Sequence, residues 1–157
     1  MTNRVPHYIF IIDSHLWVLR ALSQFIQLQT DFIVSQMSTD WRTLLAQEST
    51  LRPKWVAKNP GAGSPAEIQH SGAQSVENGF GDPLSVILLD WESPGIGRAS
   101  LNMIRSTTSH VKIIAMGVWL SSRRNALAAG VDGFINKTDS PEQLLTVLWR
   151  VGQSEIA

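Results

Sequence analysis

Short apolar runs, each ending in a polar residue or a turn, alternate along this chain with stretches whose apolar residues recur at helical spacing. Tyr8-Ile9-Phe10-Ile11-Ile12 reads as a strand buried on both faces, and behind it Leu16, Val18, Leu19, Leu22, Phe25, Ile26 and Leu28 mark one side of a helix. Phe32-Ile33-Val34 gives a second, short strand, after which Ser38-Thr39-Asp40 caps a helix through Trp41, Leu44 and Leu45. Leu84 to Leu89, closed by Asp90 and the turn at Pro94-Gly95, is a third strand, followed by a short helix from Ala99 to Ile104 and a fourth strand over Val111 to Met116. An alanine-rich helix from Ser121 to Ala129 stops at Gly130, and Gly133-Phe134-Ile135-Asn136 is the fifth strand. Ser140-Pro141-Glu142-Gln143 opens the last helix with an N-cap, a proline at the first helical position and a glutamine to close a capping box.

Strands that alternate with helices pack as a parallel sheet covered on both sides, so the expected fold class is α/β: a five-stranded, parallel, doubly wound three-layer α/β/α sandwich. Glu48 to Pro83 breaks the rhythm, with Pro53, Pro60, Pro65 and several glycines among polar residues and no sustained period. This segment reads as a long insertion loop before the third strand, emerging at the edge where helices run back into strands. The expected organisation is one domain over residues 1–157 with the insertion at 48–83 inside it.

In an open parallel sheet, ligands bind outside the carboxyl ends of the strands. Those ends carry Asp13, Asp90 and Lys137, two carboxylates and one ammonium converging on one rim. Composition narrows the chemistry. Thirteen basic and thirteen acidic side chains balance to zero formal charge, which argues against a broad electrostatic footprint for nucleic acid or anionic lipid. There is no cysteine, hence no disulfide framework, thiolate metal site or cysteine nucleophile. His7, His70 and His110 have no metal-ligand spacing, and His15 reads as a helix-start surface residue. No apolar run reaches membrane-spanning length and no signal-peptide pattern opens the chain, so the expected location is cytoplasmic.

Several stretches together resemble a family. They are Ile9-Phe10-Ile11-Ile12-Asp13-Ser14-His15 with Val18 and Leu22 in register, Val86-Ile87-Leu88-Leu89-Asp90 with Pro94-Gly95, Val111-Lys112-Ile113-Ile114, and Ala129 to Leu145 around Gly133-Phe134-Ile135-Asn136-Lys137. The chain resembles a response-regulator receiver domain of the CheY-like superfamily, nearest to the receivers that precede LuxR-type or NarL-type DNA-binding domains. The resemblance implies the flavodoxin-like sheet and a place in a two-component phosphorelay. It further implies that Asp90 takes a phosphoryl group from a histidine kinase or phosphotransfer protein, that Mg²⁺ is held by Asp13 and Asp90, and that Lys137 binds the phosphoryl oxygens. Glu92, two residues past Asp90, is a further candidate ligand for the metal. Such a domain accepts a phosphoryl group without being an enzyme in its own right.

Two positions depart from the family pattern. Receivers carry a second acid where this chain has Ser14, which puts metal affinity in question. They also carry a Ser or Thr at the end of the fourth strand that couples the phosphoryl group to an aromatic on the fifth. Here the candidates are Gly117 or Ala115, with Met116 between them, and none has a hydroxyl; Phe134 holds the aromatic position. A hydrogen bond to a charged group contributes about 1.5 to 3 kcal/mol, against about 5.5 kcal/mol for a full two-state switch, so the loss weakens switching. The resemblance therefore leaves open a phosphorylation-independent pseudo-receiver, and an aspartyl-phosphate phosphatase stands as the enzyme alternative, with Glu92 as its second acid. Expected partners are the phosphodonor protein, a second copy through the fourth helix, fifth strand and fifth helix, and a LuxR-type DNA-binding effector outside this chain, with no direct contact to nucleic acid or membrane.

Overall fold

The structure is a computed structural model that describes residues 6–46, 84–108 and 110–152. The elements in chain order are β1 (His7–Ile12), α1 (Leu16–Gln27), β2 (Phe32–Ser38), α2 (Thr43–Ala46), β3 (Leu84–Asp90), α3 (Arg98–Thr107), β4 (Lys112–Gly117), α4 (Leu120–Ala129), β5 (Gly133–Asn136) and α5 (Pro141–Gly152). All strand pairings are parallel, and the order across the sheet is β2-β1-β3-β4-β5, the doubly wound arrangement that the pattern predicts. The strand order reverses between β1 and β3, which is where this architecture leaves a crevice at the carboxyl ends.

Side-chain alternation splits the core into two layers. Ile9 and Ile11, Val86 and Leu88, and Ile114 and Met116 point to one face, where they meet Leu19 and Ile26 of α1 and Leu144, Leu148 and Val151 of α5. Phe10 and Ile12, Ile87 and Leu89, and Ile113 and Ala115 point to the other, against Leu44 of α2, Leu101 and Ile104 of α3 and Ala126 of α4. The three central strands are buried on both faces, which is why their sequences are near-continuous apolar runs.

Element ends follow local chemistry. Gly130 ends α4 in the left-handed region at φ 102°, where a side chain would be strained, and its N–H reaches the Ala126 and Leu127 carbonyls. At the amino-terminal edge of the sheet, Asp132 accepts from the Ile113 N–H (2.7 Å) and from Arg105 (2.8 Å), tying α3, β4 and the α4–β5 turn together. β2 runs on to Ser38, beyond the Phe32-Ile33-Val34 run. It is an edge strand paired with β1, so alternate residues face solvent and Ser35 and Gln36 do not end it.

The expected insertion at 48–83 lies outside the described residues. The described residues that flank it are Ala46, the last of α2, and Leu84, the first of β3. Replacing residues 52–80 by a short linker is expected to preserve one cooperative unfolding transition and to stabilise the fold by about 1 kcal/mol, the loop-closure entropy of roughly two halvings in length. Chemical denaturation measures this; a broadened transition would mean that the segment completes the core.

Candidate functional site at the carboxyl edge of the sheet

Asp13 follows the last residue of β1, Asp90 is the last residue of β3, and Lys137 follows the last residue of β5. The sheet therefore delivers all three to one rim. Both carboxylates are fully buried, and the Lys137 ammonium bridges them at 2.6 Å from Asp13 Oδ2 and 3.0 Å from Asp90 Oδ1. Two carboxylates thus share one ammonium, and the cluster carries a surplus negative charge that suits a cation or an electrophile.

The remaining donors are local. Asp90 Oδ1 also accepts the Glu92 N–H at 3.1 Å, while Asp90 Oδ2 accepts the hydroxyls of Ser93 (2.9 Å) and Ser14 (3.2 Å). Asp13 Oδ1 accepts the backbone N–H of His15 at 2.9 Å, closing a turn that leads into α1, and the His15 ring Nδ1 stands 3.2 Å from the same oxygen. His15 is the N-cap residue of α1. Burial disfavours the charged form of Asp90, but the Lys137 hydrogen bond and charge, with Ser93 and the Glu92 N–H, outweigh it and hold its carboxyl below the usual range. Burial likewise opposes the charge on Lys137, and the two aspartates overcome it and push its pKa above the usual lysine value.

Ligand atoms of Asp13, His15 and Asp90 lie within 4.8 Å of one another, and among the described residues these form the cluster able to hold a metal ion. The donor set fits a divalent cation that keeps part of its water shell, since two buried carboxylates face it and Ser14 offers a hydroxyl where a third would sit. Glu92 is engaged elsewhere. Its Oε1 accepts the N–H groups of Val118 (2.8 Å) and Trp119 (3.0 Å) and the Ser122 hydroxyl (2.8 Å), across the rim at the start of α4. These three donors occupy the carboxylate that the phosphatase alternative would use as its second acid.

At the end of β4, position 117 is the one that meets both neighbours of interest: a Cβ there would stand 3.0 Å from Glu92 Oε1 and 3.3 Å from the Phe134 ring. Ala115 is buried in the core one step inside, paired with Phe134. Trp91 packs into the core, whereas Trp119 stands 67% exposed beside the rim. On the elements of the α4–β5–α5 face, Leu127 is exposed, whereas Trp149 packs its ring against Phe32 of β2, 5.1 Å between centroids.

Asp13, Asp90 and Lys137, the strand-end residues that the sequence singles out, are brought together here, with Ser93 as a donor that it does not single out. Ser93 is signalled only by its Asp-x-x-Ser spacing, which lets a hydroxyl reach back to a carboxylate across a turn.

By sequence, no family model matches the chain and no curated protein matches it. By structure, it is similar to a LuxR-family two-component response regulator from Aurantimonas sp. SI85-9A1, with TM-score 0.63 and 14% identity over 95% of this chain and 86% of that one. A CheY-like receiver domain protein from Methanospirillum hungatei JF-1 matches with TM-score 0.62 and 18% identity over 96% of this chain and 97% of its own. A LuxR-family DNA-binding response regulator from Staphylococcus aureus matches with TM-score 0.61 and 19% identity over 94% and 99%. The chain has the fold of a response-regulator receiver, CheY-like.

Proposed function

We propose that this protein is a receiver domain of a two-component system that accepts a phosphoryl group on Asp90 from a histidine kinase or phosphotransfer protein and signals through protein contacts. The observation that carries this reading is the buried Asp13–Lys137–Asp90 bridge at the carboxyl edge of a 2-1-3-4-5 sheet. In the transfer, a carboxylate oxygen of Asp90 attacks phosphorus, the bond from phosphorus to the donor breaks, and the electron pair leaves with the donor. The carboxylate is ionised at neutral pH, so no base is needed to activate it. Lys137 is placed to pair with the charge that the new acyl phosphate brings.

Asp13 and Asp90 would hold Mg²⁺, with Ser14 and His15 at its border. When bound, the ion neutralises charge on the transferring group. With a hydroxyl rather than a third carboxylate at position 14, weak affinity is the expectation. The α4–β5–α5 face is the proposed contact surface for a second copy or an effector such as a LuxR-type DNA-binding domain. Among the described residues no helix is long and apolar enough to cross a membrane.

Incubation with acetyl phosphate and Mg²⁺, followed by intact and peptide mass spectrometry, tests the assignment. The expected result is partial modification of Asp90, lost in Asp90→Asn and in Lys137→Ala reduced at least tenfold, roughly one lost charge-assisted hydrogen bond. Modification that survives Asp90→Asn would place the acceptor elsewhere.

A further inference from the structure

In this fold the β4–α4 loop is bracketed from both sides. Its carbonyls are held by the end of β5: the Lys137 N–H reaches Gly117 O at 3.0 Å, and Asn136 Nδ2 reaches Val118 O at 3.3 Å. Its N–H groups at Val118 and Trp119, which precede α4 and have no helical carbonyl to bond, are taken by Glu92 Oε1, and the Ser122 hydroxyl donates to the same oxygen. Trp119 is the N-cap residue of α4 and makes no side-chain cap of its own, so the cap arrives from across the rim as a carboxylate at the positive end of the helix. Burial disfavours ionisation of Glu92, but the N–H of Trp119, the Ser122 hydroxyl and the N–H of Val118 outweigh it and hold its carboxyl below the usual range.

The approach depends on Gly117. A Cβ at that position would stand 3.0 Å from Glu92 Oε1, 3.1 Å from Ser122 Cβ and 3.3 Å from the Phe134 ring. A side chain there would crowd all three, and the end of the Glu92 side chain, the nearest and most flexible of them, is the one that would give way. Glycine at 117 and glutamate at 92 therefore form one device: the missing side chain makes the room that the carboxylate fills.

We infer that Glu92 is a positioning residue that clamps the β4–α4 loop into its docked conformation whether or not Asp90 carries a phosphoryl group, occupying the place where a phosphate-responsive hydroxyl would otherwise work. This deepens the proposed receiver function and rests on it for the role of Asp90, though the clamp itself is independent of any phosphodonor. Two consequences follow from the geometry. The apolar residues Val118, Trp119 and Leu120, exposed at 42%, 67% and 62%, are presented in one fixed arrangement. Phosphorylation, finding no hydroxyl at 117 to recruit, leaves that arrangement unchanged.

Amide hydrogen exchange by NMR tests this on the intact chain. Without phosphodonor, the Val118 and Trp119 amides of the wild type are expected to exchange slowly. In Glu92→Ala they should exchange at least tenfold faster while core amides of β3 and β4 keep their rates; Glu92→Gln, which keeps an acceptor oxygen, should restore part of the protection. Gly117→Ala, which crowds the carboxylate, should raise the same two rates by less than Glu92→Ala does. Equal exchange at Val118 and Trp119 in wild type and Glu92→Ala overturns the clamp. In a second arm, beryllofluoride with Mg²⁺ should move resonances at Asp90 and leave Val118 to Ser122 in place, and a large shift of that loop would overturn phosphate independence. Failure of beryllofluoride to bind at Asp90 would count against the receiver reading and would leave the first arm to decide the clamp.

Discussion

Lys137→Ala is expected to destabilise the domain by about 3 to 5 kcal/mol, because it strips the counter-ion from two fully buried carboxylates. Asp90→Asn should cost far less, within about 1 kcal/mol, since the remaining Asp13–Lys137 pair is neutral and an amide can accept the Glu92 N–H and Lys137 as the carboxylate does. The double variant should be more stable than Lys137→Ala alone, a non-additivity that a mutant cycle by urea denaturation reads directly. If the three variants add, Lys137 does not compensate the acids.

The pH dependence follows from the same charges. The Asp90 pKa is lowered in the folded state, so its contribution is present above its unfolded value near ~4 and is lost as pH falls through the folded value. The Lys137 pKa is raised, so its contribution is present below its unfolded value near ~10.4 and is lost as pH rises through the folded one. Wild-type stability from this site should be flat across the neutral range. In Lys137→Ala the sign for Asp90 is expected to invert, because the burial that disfavours its charged form is no longer opposed by the ammonium. That variant should recover stability relative to wild type as pH falls toward about 5.

The fold was legible because it is written in period. Val86 to Leu89 and Ile113 to Met116 are apolar without alternation only because helices cover both faces of the sheet, and that run length signals a central parallel strand. β2 was legible only at its start, since Ser35 and Gln36 of an exposed edge strand look like a turn. Asp13, Asp90 and Lys137 were legible because each stands at a strand end, where topology alone fixes its neighbours. Glu92 was not. It lies near Asp90 in sequence, which suggested the same pocket, yet three donors at the start of α4 draw its carboxylate across the rim. Nothing in the local sequence encodes those donors; they come from a contact between residues 92 and 118–122 that a glycine at 117 leaves uncrowded.

Restoring an acid at position 14 should turn the stability of the domain into a measure of divalent cation. The Ser14 hydroxyl donates to Asp90 Oδ2 at 3.2 Å, so Ser14→Asp exchanges a donor for a third carboxylate beside two that already share one ammonium. Without cation the variant should lose about 2 kcal/mol, the worth of a hydrogen bond to a charged group plus added repulsion. With Mg²⁺ the same charge becomes a ligand, and the hard ion gains an oxygen donor in place of one of its waters. At a free concentration near 100 times its dissociation constant, the ion adds about 2.7 kcal/mol, enough to reverse the loss. Thermal unfolding across a Mg²⁺ titration should therefore show a midpoint that climbs steeply in Ser14→Asp and only slightly in wild type, while Ser14→Asp combined with Asp90→Asn should lose most of the climb. Equal responses in wild type and Ser14→Asp would mean that the cation is not held at this rim, and that Asp13 and Asp90 serve only as partners of Lys137.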